Sequence, residues 1–309
     1  IMYYHNVHNQ RPDDMKKRNL KIDGSNICSE ILIVEDARMK PNLVDKSKNY
    51  SITSQWWFIA LVPLIYFLSP PIIAKNRYPI TDFAKSFDTI GYIAANNFTG
   101  YFAKLSPIMN IIAILAIVFL FVFKNKFSKI FSIYVALLMI FYGITQNTSY
   151  TDKFGFGIIT SSYIVLPILS GVWIWEAFAG KSDFSTKPKI NFYTISAFCF
   201  ALFAFWNPIN SEAMPDFNPL YILTNGSNSM FCTMTPMILA VLFFFYPNIN
   251  TAVLRVTGIC GATIGLIQLI MHLGIFVKTN WWVGVLHLPV FLLSLVAVII
   301  SYRADKKHS

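Results

Sequence analysis

From residue 55 onward the chain repeats one pattern, a run of 15 to 25 mostly apolar residues followed by a short polar break. A helix needs about 20 such residues to cross the hydrocarbon of a bilayer, so each run is a candidate crossing. Strands of a membrane barrel would alternate apolar and polar residues with a period of two. These runs are continuous and read as helices. The composition, 55% hydrophobic and only 13% charged, lies outside the soluble globular range.

The pattern predicts an all-α, polytopic integral membrane helix bundle of about eight transmembrane helices. They run Gln55 to Ile73, Pro107 to Phe123, Ile130 to Ile144, Gly157 to Phe178, Ile190 to Trp206, Ser229 to Tyr246, Ala252 to Phe276 and Trp282 to Ser301. The expected organisation is a polar tail over 1–54, the bundle over 55–303 with an outer interfacial segment at 76–105, and a short tail over 304–309.

Cytoplasmic loops carry the excess of Lys and Arg. With the amino-terminal tail inside, the inner loops hold Lys124, Lys126 and Lys129, then Lys181, Lys187 and Lys189, then Arg255, and finally Arg303, Lys306 and Lys307. The outer loops hold little beyond Lys153 and Lys278, and the loop from Ala74 to Ser106 offsets part of its four cations with Asp82 and Asp88. Both termini are therefore expected in the cytoplasm, in a bacterial-type inner or plasma membrane. The net charge of +10 is read as this topology signal and not as a nucleic-acid footprint. All seven tryptophans, Trp56, Trp57, Trp173, Trp175, Trp206, Trp281 and Trp282, fall near a predicted span end, where amphipathic rings prefer to sit.

The tail, with its charged run Arg11 to Arg18, has no apolar core of a secretory signal. Met39 stands as a plausible bacterial-style start ahead of the first run. Contact with other membrane subunits is expected through this tail and through the small-residue face Gly258, Gly261 and Gly265, since such faces let helix backbones approach closely. After the first span, Phe83, Phe87, Ile90 and Tyr92 to Ala94 recur at helical spacing, which suits an interfacial helix or a cap packed on the helix ends.

Catalytic and cofactor motifs are absent: no G-x-x-x-x-G-K-[ST], no G-x-G-x-x-G and no H-E-x-x-H. Cys28, Cys199, Cys232 and Cys260 are isolated, so iron–sulfur, structural zinc and covalent haem have no sequence support and no cofactor is assigned. The stretch Gly226 to Ser229 reads as a loop.

Polar chemistry inside the spans is costly and therefore informative. Glu176 and Arg255 stand at inner span ends, where they either snorkel to headgroups or form a structural ion pair. Gln268 and His272 are four residues apart on one helical face, and a hairpin turning near Thr279 and Asn280 brings His287 level with His272. Two level imidazoles suit a metal, a haem or a proton relay, while a histidine near a helix end also commonly hydrogen-bonds a carbonyl. Pro236 predicts a kink or break in the sixth span beside Thr233 and Thr235. Together with Gln146, Asn147, Asp152, Asn207, Glu212 and Asp216, this predicts a polar outer vestibule.

A transporter or channel for a small solute or ion accounts best for the broken span and vestibule. A non-catalytic or cofactor-bearing subunit of a larger, redox-type complex would account for the tail and the histidine pair. An intramembrane enzyme ranks third, because no nucleophile–base set is present.

Overall fold

The computed structural model describes residues 52–308. The tail of residues 1–51, with Cys28 and Met39, lies outside the described residues, as do the side chains of Lys306 and Lys307.

Helix α1 (Trp56–Leu68) stops ahead of Pro70-Pro71, whose rings bias preceding residues out of the helical region and remove two N–H donors. The chain continues as a two-residue strand, β1 (Ile72–Ile73). Helix α2 (Phe83–Ala95) starts at Asp82, whose carboxylate accepts the Lys85 N–H at 3.1 Å in an N-cap. That hydrogen bond, and then the Lys85 ammonium, hold the Asp82 carboxyl below the usual carboxylate range. A 3-10 stretch leads to α3 (Ser106–Phe123), with Pro107 in its first turn. Only Lys124, at φ 53°, separates α3 from α4 (Asn125–Thr145).

Strands β2 (Thr148–Thr151) and β3 (Gly155–Ile158) form a hairpin, and β1 adds antiparallel to β3 with Ile72 opposite Ile158. Helix α5 (Thr160–Ala179) ends on Gly180 in the left-handed region, a conformation glycine adopts without a Cβ clash. Helix α6 (Phe192–Trp206) opens with a reciprocal capping box between Asn191 and Thr194 and ends at Asn207-Pro208. The one-turn α7 (Tyr221–Thr224), α8 (Phe231–Phe245) and α9 (Thr251–Leu269) follow. A π-helical turn at Ile270–Ile275 leads to α10 (Val277–His308), which leaves helical geometry once at Asn280.

Among the described residues, five helical stretches are long and apolar enough to cross a membrane: Phe98–Phe123, Asn125–Thr145, Thr160–Ala179, Thr251–Ile275 and Val277–Asp305. A sixth forms if Tyr221–Ser229 and Phe231–Phe245 count as one broken span. Helices α1 and α6, of 13 and 15 residues, are apolar but reach only about 20 Å at 1.5 Å per residue. The outward faces match the interior in character: Leu115, Val118 and Val122 on α3 and Leu292, Val296 and Ile299 on α10 are all exposed. A monomer in water rarely presents such continuous apolar surface, whereas lipid solvates it. The chain is a membrane-embedded, predominantly helical protein.

Several expectations are corrected. The all-α reading agrees with the mostly helical structure, but the predicted first and fourth spans give up Ile72, Ile73 and Gly157 to a small three-stranded sheet. Trp173 and Trp282 are buried, their indoles donating to Thr257 Oγ1 at 3.1 Å and Pro208 O at 2.7 Å, so these two do not mark an interface. In α2 the buried residues are Ser86, Thr89 and Ile93, while Phe83 and Phe87 of the predicted stripe face outward.

Helix α8 lies at the centre, with 13 of its 15 residues buried, as expected for a helix apolar on every side. Helices α9 and α10 pack antiparallel on it. A Cβ at Gly258 would stand 2.9 Å from Ser294 O, one at Gly261 would meet Ser294 Oγ, and one at Gly265 would stand 3.0 Å from the Phe291 backbone. The glycine face expected to receive a partner subunit is thus filled by α10 of the same chain.

Candidate functional site

The break in the sixth run is the most unusual feature of the bundle. Tyr221–Ser229 and Phe231–Phe245 meet at 98° with Met230 extended between them, which strips backbone groups of their helical partners. Inside a bundle these groups must be satisfied by protein. Asn110 of α3 supplies most of the partners. Its Nδ2 lies 3.1 Å from Ile222 O, 3.1 Å from Leu223 O and 2.7 Å from Asn225 O, and its Oδ1 accepts the Asn228 N–H at 3.0 Å.

Asn228 extends the network. Its Nδ2 donates to Met109 O at 2.8 Å, its carbonyl accepts Tyr142 OH at 3.1 Å and its Oδ1 accepts Tyr134 OH at 3.2 Å. Gln146 Oε1 caps α8 from another helix by accepting the Phe231 N–H at 3.0 Å. Asn225 Nδ2 donates to Asn207 O, and Thr233 Oγ1 donates to Met230 O at 2.9 Å and to Ser227 O. The hydroxyls of Ser106 and Ser227 are buried beside the break without a hydrogen-bond partner.

The break therefore exists, but it falls at Met230 and not at Pro236, which sits inside α8 as a continuous helix. The physical reason is the polar sequence Thr224 to Ser229, whose side chains compete with the helical ladder and find partners on α3 and α4. The sequence reading missed Asn110, Tyr134, Tyr142, Asn225 and Asn228 as site residues. One signal was available, because Asn110 is the single amide in an otherwise apolar α3.

The predicted vestibule residues do not gather in one place. Gln146, Asn207 and Thr233 surround the break, and Thr235 is fully buried one turn deeper with its hydroxyl unpartnered near Gly261 and Ser294. Asn147 serves its own loop, donating to Tyr142 O at 2.9 Å. Asp152 and Glu212 are exposed on separate loops, Asp216 accepts Tyr221 OH at 2.5 Å, and Gln268 is half-buried on α9. The cavities of about 330 and 200 Å³ lie elsewhere, between α1, β1 and α2.

His272, in the π-helical turn, and His287, on α10, have ring centroids 5.6 Å apart and planes only 18° from parallel. His287 Nδ1 lies 2.7 Å from Val283 O. A carbonyl only accepts, so this nitrogen carries the proton and Nε2 of the neutral ring keeps its lone pair. His272 Nδ1 is buried without a partner. Among the described residues no group of three His, Cys, Asp or Glu could hold a metal, so a metal here would rely on two imidazoles and solvent. The backbone leaves helical geometry at Phe276 and again at Asn280, so the turn includes the expected Thr279 and Asn280, and the Gln268 side chain makes no hydrogen bond to a described residue.

Glu176 and Arg255 do not pair. Glu176 Oε1 accepts the Ser182 N–H at 2.8 Å and Oε2 accepts Asn250 Nδ2 at 2.6 Å, tying α5 to the cap of α9. Arg255 lies one turn farther along α9 and faces α10. It pairs with Asp305, donates to Ser301 O at 3.1 Å and Thr53 Oγ1 at 2.9 Å, and stacks over the Tyr302 ring at 4.6 Å. Arg255 is completely buried, so it does not snorkel.

Protein-family models, curated proteins and solved structures offer no match to this chain.

Proposed function

We propose that the chain is a multi-pass carrier or channel for a small polar solute, with its path at the Met230 break. In this reading α1, α6 and the broken pair are crossings too, so the chain passes eight times through a plasma-type membrane with both ends in the cytoplasm. The single observation that carries the proposal is the half-helix arrangement at Met230, buried inside the bundle and held by Asn110, Asn228 and Gln146. Membranes tolerate irregular backbone where it lines a cavity or is buried in protein, and solute sites of carriers are built on such discontinuous helices. The unpartnered Ser106 and Ser227 hydroxyls add donors that a solute would satisfy.

Cysteine substitution tests the path and the topology together. In a background with native cysteines replaced, Ser227→Cys and Thr233→Cys should react with a small charged thiol reagent. Asn218→Cys and Lys278→Cys should react only from outside and Lys187→Cys only from the cytoplasm. If the two sites at the break resist the reagent from both sides while Asn218→Cys reacts, no solute path runs there.

A second reading, a metal- or haem-bearing subunit, is favoured by the near-parallel His272–His287 pair alone. Visible absorbance or bound metal in the purified protein that vanishes in both alanine variants would establish it; a colourless, metal-free protein would remove it.

A further inference from the structure

Two adjoining cavities of about 330 and 200 Å³ share Pro70 and Ile80 between the end of α1 and helix α2. The larger alone falls within the range of about 300–1,000 Å³ typical of small-molecule sites. Phe67, Leu68, Phe83, Phe87 and Ile90 give the smaller one an apolar wall. Pro70 is fixed by Thr160 Oγ1, which donates to its carbonyl at 2.8 Å.

Polar residues border this apolar crevice, and each one without a partner can donate a hydrogen bond. Tyr78 lines one cavity and Ser86 the other, and both hydroxyls are buried without a hydrogen-bond partner. Arg77 lines the larger cavity and is exposed, and the ion pairs among the described residues are Lys85–Asp82 and Arg255–Asp305, which leaves its guanidinium unpaired. Of the two acidic groups on this segment, Asp82 is engaged by Lys85 and by the start of α2, and Asp88 is exposed. A ligand that fits must combine a hydrocarbon tail with an anionic head rich in acceptors.

We propose that this crevice binds one anionic phospholipid, with an acyl chain against the α1 and α2 walls and its phosphate on Arg77. The crevice sits where α1 ends, at headgroup depth for a membrane-crossing helix. The outward side chains of Ile80 and Phe83, 71% and 62% exposed, continue the wall into the surrounding hydrocarbon. Exposed Lys75 adds to the field, and a choline headgroup would bring a further cation against both basic side chains. A free phosphate could satisfy Arg77 but would leave the apolar wall empty.

The test uses the full chain purified in detergent, offered phosphatidylglycerol or phosphatidylcholine and read by native mass spectrometry. The protein should retain phosphatidylglycerol roughly tenfold better than phosphatidylcholine, because both offer Arg77 a phosphate but only choline sets a further cation against Arg77 and Lys75. Arg77→Gln should erase this preference and Arg77→Lys should keep part of it. Ile80→Trp, which sets a larger ring on the wall the two cavities share, should weaken retention of both lipids while size-exclusion and helical circular dichroism stay unchanged. Equal retention of the two lipids, an unaffected Arg77→Gln variant, or displacement by excess inorganic phosphate would each overturn the proposal. Arg77 is exposed, so its variants remain informative even if Ile80→Trp misfolds.

Discussion

Asn110 offers the sharpest test of how the broken helix is held. Its amide has two hydrogens and three carbonyls within reach, so it makes two full bonds at a time, and Oδ1 accepts a third from Asn228. Side-chain hydrogen bonds in membrane bundles average about 0.6 kcal/mol each, which makes roughly 2 kcal/mol for the three. Truncation also strands backbone groups at a completely buried position, at about 1–3 kcal/mol apiece unless water enters. Asn110→Ala leaves a small polar-walled void that a water can occupy, so its expected cost is about 2–4 kcal/mol. At about 2–4 °C per kcal/mol, that lowers the thermal midpoint by roughly 5–15 °C. Asn110→Leu fills the same space, excludes water and offers no donor, so it should lose more. Loss of monodisperse protein after stepped heating in detergent measures both variants. If Asn110→Leu equals or exceeds Asn110→Ala in stability, as it would at an ordinary apolar site, the hydrogen bonds do not hold the break.

Four further outcomes are expected. Gly261→Ala should destabilise by about 1–3 kcal/mol by driving a methyl into Ser294 Oγ, and Ser294→Ala should recover much of the loss in heat-step assays. Gly265→Ala, which meets Phe291 backbone, should have no such single rescue. Asp305→Ala strands the buried Arg255 guanidinium; Asp305 is itself one-third exposed, so the cost should be about 2–3 kcal/mol, and Arg255→Met with Asp305→Asn should restore most of it. Asp82 has a depressed carboxyl, so its cap is intact above the ordinary carboxylate range, about pH 4, and is lost as pH falls through the lower folded value. Protection of the amides at the start of α2, relative to their intrinsic exchange rate at each pH, should therefore drop as pH falls through that lower value in the native chain, and an Asp82→Ala variant, lacking the cap at every pH, should lose that acid-specific step.

The residues of the site divide by how they can be read. Local cues also mark helix ends that the span assignment did not use: Asn191 ahead of Thr194, Asp82 ahead of α2 and Gly180 after α5. They were misleading at Pro236, where the missing N–H suggested a break that the surrounding packing absorbs. Glu176 and Arg255 seemed natural partners by charge and depth. Their choice depends on which way each helix is rotated, and that rotation is set by Gly258, Gly261 and Gly265 pressing α9 onto α10.

What the amino-acid order alone determined is the solvent and the class of element: apolar runs of spanning length select lipid and helix, because transfer into hydrocarbon is close to a residue-by-residue sum. Aligning His272 with His287 was also within its reach, since the two lie close across one hairpin, and their rings lie 5.6 Å apart. Only the tertiary structure decided where the chain breaks and what satisfies the broken ends. Asn110 meets Ile222 to Asn228 across 112 to 118 residues of sequence. Such a contact leaves no periodic trace, because it is selected by the need to pair every buried backbone group and not by any preference of the residues nearby.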